Sequence, residues 1–215
     1  QTTLSNRVVG IDVTTAYGET CVRNNTISNI SQVSNTNTNA YDIKAIYLNF
    51  NDESVVKCLI ENNSISNITA GGDESTKEFT ATAIYNNRCK NVEIKNNRIS
   101  DIKIKNSIDP DSKIIGIYRV FYYETPNSCK IYNNMIAIGN NFTYNIKIYG
   151  IYEVQTNAEY YFNSIHISGT SASGSNSTYA FFSDMNGDTN RTRILKNNIL
   201  SNSRTGGSGY HYAIS

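Results

Sequence analysis

Charge is scarce in this sequence, tryptophan is absent, and proline occurs only twice, at Pro110 and Pro126. Nineteen Lys and Arg face eighteen Asp and Glu, for a net charge of +1 with 17% charged residues. Such a balance gives no field to draw in DNA, RNA or an anionic membrane. No apolar run approaches the roughly 18 residues needed to cross a bilayer, which excludes membrane insertion by a helix. No signal peptide is visible; Gln1 runs directly into strand-like sequence, so an export signal is expected to have been removed or to lie outside this sequence. The four cysteines form no CxxC pair and have no histidine at metal spacing, which argues against zinc. A disulfide framework is not needed at this size.

What is present is asparagine, about one residue in seven, together with 16 tyrosines. Low charge with much Asn, Ser and Thr also describes disordered chains. Regularly spaced Ile and Val argue otherwise, because a disordered chain has no reason to keep them in register. The composition fits one folded, neutral, β-rich domain spanning 1–215.

One motif recurs six times: TCVRNNTI, CLIENNSI, VEIKNNRI, CKIYNNMI, AEYYFNSI and RILKNNIL. Its second Asn position holds Asn25, Asn63, Asn97, Asn134, Asn163 and Asn198 without exception. Two residues later stands Ile27, Ile65, Ile99, Ile136, Ile165 or Leu200, and three before the Asn stands Val22, Ile60, Ile94, Ile131, Tyr160 or Leu195. A second motif alternates with the first, a small residue followed by an apolar one and usually an aromatic. It reads Gly10-Ile11, Ala45-Ile46-Tyr47, Ala83-Ile84-Tyr85, Gly116-Ile117-Tyr118, Gly150-Ile151-Tyr152, Ala180-Phe181-Phe182 and Ala213-Ile214. The mean period is about 34 residues, with uneven polar segments at 32–42, 70–78, 106–113, 139–145, 169–177 and 205–209 reading as loops.

Apolar residues two apart on each side of the Asn mark two short strands with side-chain alternation. The Asn between them is expected to make a one-residue bend, since Asn tolerates the left-handed region. Stacked once per coil at about 4.8 Å, its amides would hydrogen-bond up and down a column. This pattern resembles the parallel β-helix repeats of the pectate-lyase-like superfamily, of the secreted or cell-surface bacterial repeat type. The resemblance implies a right-handed parallel β-helix of about six to seven coils, each with three short strands and an Asn-ladder turn. A leucine-rich horseshoe has its own Asn ladder, but it wants shorter periods, abundant Leu and often a helical return.

Two residues past the Ile of the second motif stand Val13, Leu48, Asn86, Arg119, Glu153 and Ser183, with Asp184 in the next column. Arg119, Glu153 and Asp184 are expected on neighbouring coils, as surface charges paired between coils rather than an acid–base centre. Tyr47, Tyr85, Tyr118, Tyr152 and Phe182 form an aromatic column, expected to point outward while the Ile points inward. Such a stripe serves to stack sugar rings or simply to stabilise the face. The clustered Asp, Arg-x-Lys and Gly-His-Gly of the superfamily's hydrolases are lacking, and His166 and His211 lie in different motif contexts. Asp184, Asn186, Asp188 and Asn190 alternate oxygen-bearing side chains, but Gly187 stands too early for a calcium loop, which leaves a polar turn. Cys58 and Cys129 share a column two strand spacings apart, too far for a disulfide.

The sequence therefore implies no cofactor and no metal, and no catalytic residues. It points to a non-enzymatic extracellular or cell-surface module, structural or adhesive, whose partners are further copies stacked end to end or adjoining solenoid segments. The alternative is a carbohydrate-active β-helix that binds, cleaves or hydrolyses a polysaccharide.

Overall fold

The structure, a computed structural model, describes residues 6–14, 18–34, 41–50, 55–75, 78–107, 109–121, 128–140, 143–185 and 190–215. Parts of four predicted loops and the centre of the 184–190 turn lie outside the described residues.

The chain climbs in three-strand rungs. The first holds β1 (Asn6–Val13), β2 (Gly18–Arg23) and β3 (Thr26–Ser34); the second β4 (Tyr41–Asn49), β5 (Val55–Glu61) and β6 (Ser64–Ser75). The third holds β7 (Phe79–Asn87), β8 (Asn91–Lys95) and β9 (Arg98–Ser100), with β10 (Ile102–Ser107) as an extension. Then come β11 (Lys113–Val120), β12 (Ser128–Tyr132) and β13 (Met135–Ile138), followed by β14 (Lys147–Val154), β15 (Ala158–Tyr161) and β16 (Ser164–Ile167). The last full rung is β17 (Thr178–Asp184), β18 (Arg193–Lys196) and β19 (Ile199–Asn202), after which β20 (His211–Ile214) opens another.

Like strands pair with like, all in parallel. Sheet A runs β1-β4-β7-β11-β14-β17-β20, sheet B β2-β5-β8-β12-β15-β18, and sheet C joins β3, β6, β9, β13, β16 and β19, with β10 beside the far end of β6. This is a parallel β-solenoid with three sheets. It makes about five turns rather than six to seven. Motif recurrences count rungs, whereas turns are the intervals between them. Three predicted loops are shorter than expected, because 32–34 belong to β3, 41–42 to β4, 70–75 to β6, 106–107 to β10 and 113 to β11.

The register is the one the repeats imply. Val22, Ile60, Ile94, Ile131, Tyr160 and Leu195 stack in sheet B, and Ile27, Ile65, Ile99, Ile136, Ile165 and Leu200 in sheet C. Ile46, Ile84, Ile117, Ile151 and Phe181 stack in sheet A, and all five are buried. Three apolar columns thus converge on one continuous core.

At the bend from sheet B to sheet C the Asn ladder is complete. Each side-chain amide donates to the side-chain oxygen of the next, Asn25 to Asn63, Asn63 to Asn97, Asn97 to Asn134, Asn134 to Asn163 and Asn163 to Asn198, at 2.9–3.0 Å. The backbone N–H of each Asn shares that same acceptor, as in Asn97 N to Asn134 Oδ1 at 3.0 Å. The second amide hydrogen goes back to a carbonyl of the preceding rung, as in Asn97 to Ile60 O at 3.0 Å. Both donors and the oxygen of an interior ladder amide are therefore paired, which removes the cost of burying it.

The left-handed bend itself falls one residue earlier than the sequence suggested. Asn24, Asn62, Asn96, Asn133, Phe162 and Asn197 have φ between 54 and 59°. The first Asn of the pair makes the bend and the second makes the ladder, a division of labour that explains why both positions hold Asn.

Candidate functional site

The small residue of the second motif decides the shape of sheet A. Ala45, Ala83 and Ala180 are fully buried, as are the Ile, Ile and Phe that follow them. Two successive inward residues interrupt the alternation, so residues three apart point to the same outer face. The Ala rungs hold a methyl at this position, and the Gly116 and Gly150 rungs have no room even for that. A Cβ on Gly150 would lie 2.4 Å from both the Ala180 carbonyl oxygen and Ile165 Cγ2, and one on Gly116 would lie 2.5 Å from the Gly150 oxygen.

Because of that interruption, the outer face of sheet A carries two aromatic columns. The expected column is there and points outward, beside an inward Ile column. Ring centres are 5.1 Å apart for Tyr47–Tyr85, 5.2 Å for Tyr85–Tyr118, 4.8 Å for Tyr118–Tyr152 and 5.3 Å for Tyr152–Phe182. Beside it runs a second column, Tyr149, Tyr179 and Tyr212, with ring centres 5.4 and 5.5 Å apart. Tyr149 stacks on Tyr152 at 4.8 Å, which fuses the two columns into one platform. The sequence carried this signal, an aromatic just before the small residue in the last three repeats. Strict alternation hid it, since Tyr149 and Tyr152 would fall on opposite faces.

Next to the platform a groove of about 390 Å³ is lined by Lys44, Glu78, Lys113, Tyr85, Tyr118 and Tyr152 among others. Its charges are matched. Lys113 pairs with Glu78 at 2.7 Å and Lys44 with Asp42, and beyond the groove's lining Lys147 pairs with Asp111 at 2.7 Å. Lys44 also lies 5.0 Å from the ring centres of both Tyr47 and Tyr85. Burial pushes its pKa down to about 8, helped by the nearby Arg7 and opposed by Asp12.

Arg119 and Glu153 stand in register with each other, as expected, and with Asn86 and Ser183. They are not surface charges. Both are fully buried inside the solenoid, because their column follows the inward Ile by two residues. Nor do they bridge. Arg119 donates to the Asn86 side-chain oxygen at 2.7 Å, the Val120 carbonyl at 3.1 Å and the Cys89 carbonyl at 2.5 Å, and faces the Phe121 ring. Glu153 accepts from Arg193, Ser183 and Thr156. Asp184 sits apart at the corner and accepts from the Tyr152 hydroxyl at 3.3 Å. The two buried ones have no exposed surface at which a substrate could meet them. Their arrangement is that of a polar seam holding the A–B corner in register.

His166 lies near Ser201 on sheet C and His211 near Thr178 on sheet A, so the two histidines do not meet. Among the described residues, no three His, Cys, Asp or Glu side chains converge to hold a metal ion. Cys58, Cys89 and Cys129 are buried and Cys21 is exposed. Val92 separates Cys58 from Cys129, as the motif alignment implied.

No family model, no curated protein and no solved structure matches this chain.

Proposed function

We propose that the chain is a non-enzymatic, adhesive β-solenoid of the extracellular space or cell surface, which holds a polysaccharide along the outer face of sheet A. The aromatic platform of Tyr118, Tyr149, Tyr152, Tyr179 and Phe182 carries this reading. A line of half-buried rings around the buried Tyr149, repeating once per strand, offers successive sugar rings the same apolar surface. The matched charges beside it favour a neutral polymer over an acidic one, since Lys113 and Lys147 already have carboxylate partners. The burial of Arg119 and Glu153 speaks against hydrolysis or elimination at that column. Kinship with the pectate-lyase-like superfamily goes with this reading and is supported by the three-sheet coil and its Asn ladder.

Affinity electrophoresis through neutral and acidic plant, algal and host polysaccharides tests it. Retention by a neutral polymer, weakened at least tenfold in Tyr118→Ala and Tyr152→Ala, is expected. Shortened or unsaturated chains in the same incubations would show an enzyme instead, and no retention by any polymer would leave a purely structural role.

A structural role by stacking is favoured by a separate observation. Ile199, Tyr210, Tyr212 and Ile214 are 68, 69, 40 and 52% exposed on or just before the last strands, beside the edge of β20 that pairs with no other described strand. A further coil, from a second copy or an adjoining solenoid segment, would cover them and extend all three sheets. Light scattering over a concentration series, with Tyr212→Lys as the control that stays monomeric, tests stacking of copies.

A further inference from the structure

The outer face of sheet A is not level. The column just before the small residue holds Lys44, Thr82, Ile115, Tyr149, Tyr179 and Tyr212, in register from β4 to β20. Thr82 and Ile115 are its shortest side chains. The tyrosine platform therefore steps down at β11 into a trough two strand spacings long, about 10 Å. That trough is the floor of the 390 Å³ groove. Tyr85 and Tyr118 stand along one side of it, and Thr80 and Lys113, in register with each other, along the other. Lys44 closes the far end, paired with Asp42 and lying 5.0 Å from the Tyr85 ring centre.

Two polar atoms of this trough lack partners. Lys44 holds one oxygen of Asp42, but Asp42 Oδ1 and the Thr82 hydroxyl are buried and make no hydrogen bond among the described residues. Both residues line the groove. Native structures rarely leave such atoms unpaired. A carboxylate oxygen needs a donor, and a hydroxyl can give and accept. An uncharged ring with adjacent hydroxyls meets both needs: one hydroxyl donates to Asp42 Oδ1 and its neighbour pairs with Thr82 Oγ1, while the C–H face rests on Ile115 and the tyrosine rings. Charge offers nothing further to an ionic ligand, because Lys113 is already paired with Glu78.

We propose that this trough is the subsite for a terminal sugar, so that the protein recognises the ends of a neutral glycan rather than its length. The inference rests on the platform being the polysaccharide face. A chain lying on Tyr212, Tyr179 and Tyr149 descends onto Ile115 and Thr82, and Lys44 stops it there.

The test titrates the full chain with a neutral glucan and a neutral mannan, each at full length and after partial hydrolysis to about one tenth of that length, and follows tyrosine fluorescence. At equal mass the cut sample carries about ten times as many ends, so the mass giving the half-maximal change is expected to fall about tenfold. Thr82→Val removes the hydroxyl and Ile115→Phe fills the trough. Each, with a circular dichroism spectrum like that of the native chain, should abolish the gain from cutting. Equal binding of both lengths at equal mass by the native chain overturns the terminal subsite and leaves the platform standing, whatever the variants do. A length effect that survives in both folded variants overturns its placement at Thr82 and Ile115. No response to any of the four samples, together with no retention in affinity electrophoresis, overturns the subsite and the platform alike.

Discussion

Phe162 occupies the bend position that Asn fills in the other five repeats, at φ 54°. A left-handed conformation costs an ordinary L-residue about 1–2 kcal/mol, and Asn less. Phe162 is 57% exposed, so its ring returns little through packing. Phe162→Asn is therefore expected to stabilise the fold by about 1 kcal/mol, read as a rise in urea midpoint. The neighbouring ladder behaves oppositely. Asn97→Leu would leave the Asn63 side-chain amide, the Asn63 backbone N–H and the Ile60 carbonyl without the partners Asn97 gives them, while the Asn134 side-chain oxygen keeps the backbone N–H of residue 97. At about 1–3 kcal/mol for each orphaned buried group, the variant should lose at least about 3 kcal/mol in equilibrium unfolding. The ladder column was legible in the sequence because it recurs without exception, and the bend column, broken once by Phe162, stood beside it. Their separate roles were not legible, since a residue type that tolerates φ > 0 and also forms ladders gives the same letter for either job.

The strands of sheet A show where reading by alternation stops. Inward Ile and outward Tyr were predictable from the strictness of the Ile column. The second aromatic column was not, because it depends on two adjacent inward residues at the small position. Crowding at that position gives a direct check. Gly150→Ala puts a methyl against the Ala180 carbonyl and Ile165, and is expected to cost about 1–3 kcal/mol through overpacking, measured by thermal or urea unfolding. Ala45, Ala83 and Ala180 sit at the equivalent position in other rungs, so the local spacing between rungs, rather than the motif, sets the limit. Arg119 and Glu153 follow the same logic. Their register was readable, but their side of the sheet depended on the inward run, and two charged residues are poor advertisements for a core.

Across the whole molecule, stability should respond to pH through Lys44. Its pKa is about 8 in the folded chain against 10.5 for the free side chain, with Arg7, Asp12 and Asp42 as its charged neighbours. Below pH 8 both states are protonated and the penalty for burying the charge is fully present. Between pH 8 and 10.5 the folded chain has released a proton the unfolded chain still holds, so stability rises with pH, by up to about 3 kcal/mol. Tyrosines and cysteines also titrate in this range. The difference between the native sequence and Lys44→Met, followed by urea unfolding from pH 7 to 10, isolates the lysine: the variant should start more stable and lose that advantage as pH rises. The three sheets and the core columns were within reach of the repeat alone; the number of turns was not, since counting motif recurrences gave six to seven where there are about five.

The Asn ladder also gives the solenoid an electrical sense. From Asn25 to Asn163 one side-chain N–H of each Asn is given to the higher-numbered neighbour, and from Asn63 to Asn198 each side-chain oxygen accepts from the lower-numbered one. The amide dipoles therefore add along the axis instead of cancelling, as peptide dipoles do in a helix. A coil that continues the column beyond Asn198 must present an acceptor, and one that precedes Asn25 must present a donor. Two solenoids of this kind can share a ladder only front to back; meeting face to face would set oxygen against oxygen or hydrogen against hydrogen.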